Sequence, residues 1–256
     1  EARRLSAFFR KFPDVLECSV RLSAGCQVKY FVNSEGCSIA QSRPLIEASI
    51  SASSRAEDGM DFSLYRHYPG RSPSELPGED RLASEAAWMG KMLTDLKSAP
   101  LVDPFTGPAI LSGRAAAVLF HEVLGHRLEG HRQKDEDADQ TFTRRMNKRI
   151  LPEFITITSD PTREAVAGMP LLGCYAYDDE GVLARPVKLV DRGVLRAFMM
   201  SRSPVRGFPS SNGHGRRQPG RGCVARQSNL IITSSRRMPP DQLKSELVRM
   251  CRQKGK

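Results

Sequence analysis

The chain of 256 residues carries 39 basic and 29 acidic side chains, a formal net charge of +10, with 39% hydrophobic residues. That length can bury a substantial core in one large or two modest domains, yet no segment is long or apolar enough to span a bilayer, and no charged-then-apolar leader opens the chain. Six cysteines (Cys18, Cys26, Cys37, Cys174, Cys223 and Cys251) are scattered without a CxxC pair, which excludes a dense disulfide framework and favours free thiols in a reducing, cytoplasmic setting.

In chain order, Ser19 to Ser53 alternates and breaks in the manner of strands. Gln27 to Val32 forms one run, Asn33-Ser34-Glu35-Gly36 the turn, and Cys37 to Ala40 leads the return. A Pro/Gly/Ser-rich loop follows between Tyr68 and Gly78. Gly78 to Lys97 then reads as a helix with Leu82, Ala86, Met89 and Leu93 on one stripe. The proline-rich stretch Ala99 to Pro108 marks a boundary, so residues 1–100 are expected to form an N-terminal α+β region and 101–256 a second domain. Ala109 to Leu111 is expected as a short strand, Ser112 as an N-cap, and Gly113 to Leu128 as a helix.

The charged stretch Gln133 to Arg149 reads as an exposed connection or a lid. Beyond it the pattern turns to β. Ile155 to Thr158 is branched and strand-like. Cys174 to Tyr177, Val187 to Val190 and Val194 to Met200 read as a meander separated by turns, and Asn229 to Thr233 as another strand. The acidic turn Asp178-Asp179-Glu180 is too short for a calcium loop and reads as a hairpin turn. Pro239-Pro240-Asp241 caps a helix carrying Leu243, Leu247 and Met250. The fold class is α+β: a small N-terminal α/β region followed by a β-rich C-terminal domain carrying one metal-binding helix.

That helix carries His121-Glu122-Val123-Leu124-Gly125-His126, an HExxxH sequence. Two imidazoles and a carboxylate are the donor types of a zinc hydrolase: the ring nitrogens hold the ion and the glutamate takes a proton from the water it activates. On a regular α-helix a spacing of five rotates the second histidine by roughly 140°, too far to share an ion. A π-bulge would bring the rings together, and Gly125 would tolerate the distortion. The apolar run Ala115 to Phe120 ahead of the motif predicts a covered site. The alternative is a pair of histidines that are solvated or hydrogen-bonded without metal.

The stretch Phe120 to Gly130 resembles the metal helix of the TldD/PmbA metallopeptidases. The resemblance extends through Leu151-Pro152-Glu153-Phe154, Ser159-Asp160-Pro161-Thr162, Tyr177 to Val182, Ser201-Arg202-Ser203-Pro204 and Ser211 to Arg216, covering most of residues 101 to 235. It implies that His121 and His126 bind Zn2+, that Glu122 is the general base, and that a C-terminal cysteine is the third ligand. It also implies small or unfolded peptides as substrates and a homo- or heterodimer with a related subunit. None of Cys174, Cys223 and Cys251 sits in a context like that ligand's, so the cysteine is expected beyond residue 256 of a chain that reads as cut at both ends. Glu129 is either a further ligand or a surface carboxylate, His131 a solvated residue past the helix end at Gly130, and His214 either a substrate contact or a loop histidine without a role.

Two other classes stay open. One is an inactive scaffold subunit of a peptidase heterodimer. The other is a basic nucleic-acid-associated protein, suggested by Arg202, Arg206, Arg216, Arg217, Arg221 and Arg226 around a Gly/Pro/Ser-rich stretch. The latter lacks interleaved aromatics and a recognisable binding module, so nucleic acid is the less favoured partner.

Overall fold

A computed structural model describes residues 1–134 and 142–255. The centre of the expected lid, residues 135–141, lies outside the described residues. The chain forms two compact units, Glu1–Tyr30 with Ala40–Pro104 and Phe31–Ile39 with Phe105–Lys256. The change of unit at Pro104 falls inside the proline-rich stretch, while the hairpin tip at residues 31–39 groups with the second unit. Among the described residues no helix is long and apolar enough to cross a membrane.

The first unit opens with helix α1 (Ala2–Ala7) and a 3-10 turn at Phe8–Lys11, which bury Leu5 and Phe9. A three-stranded antiparallel sheet follows in the order β1 (Glu17–Val32), β2 (Ser38–Arg55), β3 (Asp61–Gly70). The β1–β2 turn forms because the Asn33 side-chain oxygen accepts the backbone N–H groups of Glu35 and Cys37, both at 3.0 Å, while Gly36 takes a φ of 87°. Strand β2 turns Ala48, Ile50, Ala52 and Ser54 inward in strict alternation. Helix α2 (Glu79–Lys97) begins with two acidic residues and ends on Lys97, complementing its dipole. Its stripe Leu82, Ala86, Met89 and Leu93 is buried against that face of the sheet and against Leu5 and Phe9. Each large side chain so buried contributes about 1.5–3 kcal/mol.

In the second unit, helix α3 (Gly113–Phe120) gives way to wide and tight turns through Gln133. The strands are β4 (Ile155–Ser159), β5 (Ala165–Val166), β6 (Met169–Pro170), β7 (Val187–Asp191), β8 (Val194–Leu195), β9 (Gly215–Arg216), β10 (Val224–Ala225) and β11 (Leu230–Ser234), closed by helix α4 (Pro240–Gln253). The main sheet has the order β11-β4-β7-β8, all antiparallel. Ile157, Leu189, Val190, Leu195, Phe198 and Met199 form the core under it, and Leu124 and Leu128 from the motif segment pack into the same cluster. The motif is thus anchored to the sheet by its two leucines.

Several expected elements differ. Strand β3 and helix α1 are not among the expected elements, although the Asp58-Gly59 pair ahead of β3 is a turn signal: Gly59 takes a φ of 89° and the Asp58 carboxylate accepts Met60 N–H at 3.0 Å. Ala109 to Leu111 takes no regular structure, since no strand pairs with it among the described residues. Val194 to Met200 is a strand only at its first two residues. Phe198, Met199 and Met200 are all buried, and their backbone bonds go elsewhere. Met199 N–H donates to Leu128 O at 2.9 Å, Met199 O accepts Gly130 N–H at 2.8 Å, and the Asn212 amide spans Phe198 O and Met200 N. Cys174 to Tyr177 is likewise an irregular arm of a turn, bridged at Tyr177 to Leu183. The acidic turn is built around Asp178, buried, whose carboxylate accepts backbone N–H groups of Glu180, Val182 and Gly215.

Candidate metal centre

Helix α3 runs without interruption to Phe120, after which His121–Gly125 forms a single π turn and His126–Leu128 a 3-10 turn. The His126 N–H bonds to the carbonyl five residues back, at His121. This widening is what a five-residue spacing needs to bring both rings onto one side. The ring centroids lie 4.6 Å apart at an interplanar angle of 76°. Glu122 bridges them: one carboxylate oxygen is 3.8 Å from His121 Nε2 and the other 3.8 Å from His126 Nε2. One donor atom from each of the three lies within 4.8 Å of the others.

Gly125 serves a different purpose from the one its position suggests. Its φ and ψ of −54° and −53° are ordinary helical values, so no backbone licence is being used. A Cβ there would sit 2.0 Å from Gln227 Oε1. Gln227 lies across the π turn and its Nε2 donates to His121 O at 3.5 Å. The glycine therefore makes room for a clamp on the widened turn, a contact with no signature in the sequence.

The expectation of a covered site is corrected. The His121 and Glu122 side chains are 49% and 62% exposed and that of His126 22%. Val118, Leu119 and Val123 are between 45% and 57% exposed, because among the motif's apolar residues it is Leu124 and Leu128 that reach the core.

Glu129 is not a surface carboxylate. It is fully buried, because the chain turns extended after Leu128 and bridges to Met199. Its carboxylate lies 3.1 Å from His126 Nδ1, accepts from Arg132 Nε at 3.3 Å, and lies 3.4 Å from Arg226 Nε. The spacing of three between His126 and Glu129 is the signal that could have paired them; nothing local could have found Arg226.

His131 is not solvated either. Its Nδ1 lies 3.0 Å from Ala225 O, and burial holds its pKa below the usual histidine value. His214, expected as a substrate contact, is fully buried with both nitrogens engaged: Nε2 with Ser159 Oγ at 2.9 Å and Nδ1 with Asn212 at 3.1 Å. Burial pushes its pKa down to about 4. A ring with no exposed surface braces the β4 strand and the 211–214 loop rather than meeting a ligand.

No cysteine joins the three-residue group among the described residues. Cys174 Sγ donates to Arg163 O at 2.9 Å, and burial pushes the Cys223 thiol up to about 12, which disfavours the thiolate a metal requires. Three of the six arginines of the basic stretch are engaged by carboxylates within the protein. Arg202 pairs with Glu35, Arg216 with Asp179 at 3.5 Å while lying over the Tyr175 ring, and Arg226 with Glu129.

The donor set fits zinc. The two imidazole nitrogens are ligands the ion accepts, with the Glu122 carboxylate beside them, and ligands at about 2.0–2.1 Å from a tetrahedral zinc lie about 3.3 Å apart.

Residues 105–251 match the family model described as the PmbA/TldA metallopeptidase C-terminal domain. A metalloprotease TldD homologue of Buchnera aphidicola is 27% identical over 219 residues, 80% of this chain and 42% of its own length. A zinc metalloprotease TldD homologue of Saccharolobus solfataricus is 34% identical over 95 residues, 37% of this chain and 20% of its own length. The chain spans less than half the length of these curated relatives. Among solved structures, one from Thermotoga maritima described as a candidate modulator of a DNA gyrase superposes with a TM-score of 0.74 at 16% identity, covering 95% of this chain and 53% of that one. TldE from Thermococcus kodakarensis gives 0.62 at 18% identity, covering 94% and 52%. At those identities the likeness is one of fold.

Proposed function

Because this chain belongs to the PmbA/TldA metallopeptidase family, we propose that it carries the metal-binding half-site of a zinc-dependent peptidase acting on small or unfolded peptides. The observation that carries this reading is the π turn, with both Nε2 atoms 3.8 Å from the oxygens of one carboxylate. His121 and His126 are the zinc ligands from this stretch, and the family resemblance assigns the third to a cysteine other than Cys174, Cys223 and Cys251. Zinc bound there would polarise a scissile carbonyl and acidify water at the site.

The residues of the chain do the rest. Glu122, exposed and between the rings, receives the proton of the attacking water on a carboxylate oxygen and passes it to the departing amine nitrogen. The exposed flank of α3 leaves that carboxylate open to an extended peptide. On the family resemblance the chain assembles as a homo- or heterodimer with a related subunit, and its scattered cysteines suit a reducing, cytoplasmic setting.

Replacing Glu122 by glutamine in the intact protein tests the assignment. Zinc content is expected to stay near that of the wild type while hydrolysis of an unfolded polypeptide falls by at least 100-fold, the low end of what a positioned acid–base group supplies, roughly 10²–10⁴-fold. Undiminished turnover removes Glu122 from the role.

A further inference from the structure

We propose that Glu129 is the positioning residue of His126, fixing the ring so that its Nε2 is the bare nitrogen offered to the ion. The inference rests on the zinc reading of the site and goes beyond it by assigning work to a residue outside the three-residue donor group.

The His126 ring has two faces of business. Its Nε2 points toward Glu122, 3.8 Å from that carboxylate, while its Nδ1 is 3.1 Å from Glu129 Oε1. A neutral imidazole carries one N–H. Committing that proton to Nδ1, where a carboxylate accepts it, leaves the lone pair on Nε2, toward His121. The opposite tautomer would place a lone pair against the Glu129 carboxylate and a proton where the ion belongs.

Glu129 is suited to this. It is fully buried, and a carboxylate taken out of water needs charged partners to stay there. Arg132 comes from the turn following the motif, and Arg226 from the segment after β10. Arg226 is itself held in place, its N–H donating to His214 O at 2.9 Å. The chain thus meets the cost of burying a carboxylate with two guanidinium groups, directly behind one histidine of the motif. Carboxylates that orient a ligating histidine in this way raise metal affinity by about 10–100-fold.

Two measurements on the intact protein decide it. The first is the 15N–1H spectrum of the imidazole groups in wild-type protein freed of metal by a chelator, at pH 8. His126 is expected as the Nδ1–H tautomer with an unprotonated Nε2; a proton on Nε2 overturns the proposal. The second is zinc affinity by competition with a chromophoric chelator for Glu129→Gln, which keeps the shape and removes the charge. It is expected to bind zinc about 10-fold more weakly than the wild type, and unchanged affinity overturns the proposal. Should the variant fail to fold, the wild-type spectrum decides alone. Should the wild type bind no zinc, the peptidase reading fails, while the tautomer of His126 still judges Glu129.

Discussion

Gly125 and Gln227 are in contact across the widened turn of the motif, so closely that a methyl group on the glycine would fall 2.0 Å from the Gln227 amide oxygen. The turn is held from outside by a residue on a distant segment, and the glycine between the two histidines is what lets that residue approach.

Gly125→Ala should therefore act through Gln227 and not through backbone strain. Overpacking of this kind costs about 1–3 kcal/mol, and zinc affinity should fall with it as the rings are pushed apart. Adding Gln227→Ala should restore much of the stability lost by the single variant, read as the thermal midpoint. Equal loss in the single and double variants would show that the glycine is needed for some other reason.

Leu128 ties the motif to the core. It is fully buried in the cluster with Ile157, Leu189 and Phe198. Leu128→Ala should destabilise the protein by about 2–5 kcal/mol, measured by denaturant unfolding. It should also weaken zinc binding, since the 3-10 turn holding His126 loses its anchor. A drop of less than 1 kcal/mol, on the order of a surface change, would contradict that anchoring.

His214 gives a pH signature apart from the metal. Burial lowers its pKa from 6.5 to about 4, so below pH 6.5 the unfolded chain binds a proton that the folded chain refuses. Stability from this group is fully present above about pH 6.5 and is lost as pH falls through that window to about 4. The total is on the order of 3 kcal/mol. His214→Gln should flatten the slope of stability against pH between 6.5 and 4, and an unchanged slope would remove His214 as its source.

The parts of the molecule visible in the sequence are those governed by local periodicity. The stripe of α2, the Asn33–Gly36 turn and the branched residues of β4 each follow from neighbours a few positions away. The five-residue histidine spacing likewise demanded the π turn found at His121–Gly125. What stayed hidden depends on residues remote in sequence. Phe198 to Met200 looks like a strand but spends its backbone bonds on Leu128, Gly130 and Asn212. Glu129 and His131 look like surface groups because nothing near them in sequence announces Arg226 or Ala225. The apolar α3 looks like a buried helix, yet hydrophobicity alone does not say which of its residues reach the core.

The π turn is what would aim His121 and His126 at one zinc ion. X-ray absorption at the zinc edge of the intact, zinc-loaded protein tests it most directly, compared with the His126→Ala variant. The wild-type zinc is expected to have two imidazole nitrogens among its ligands at about 2.0–2.1 Å, reduced to one in the variant. A wild-type shell without imidazole scattering, or one that His126→Ala leaves unaltered, would contradict it.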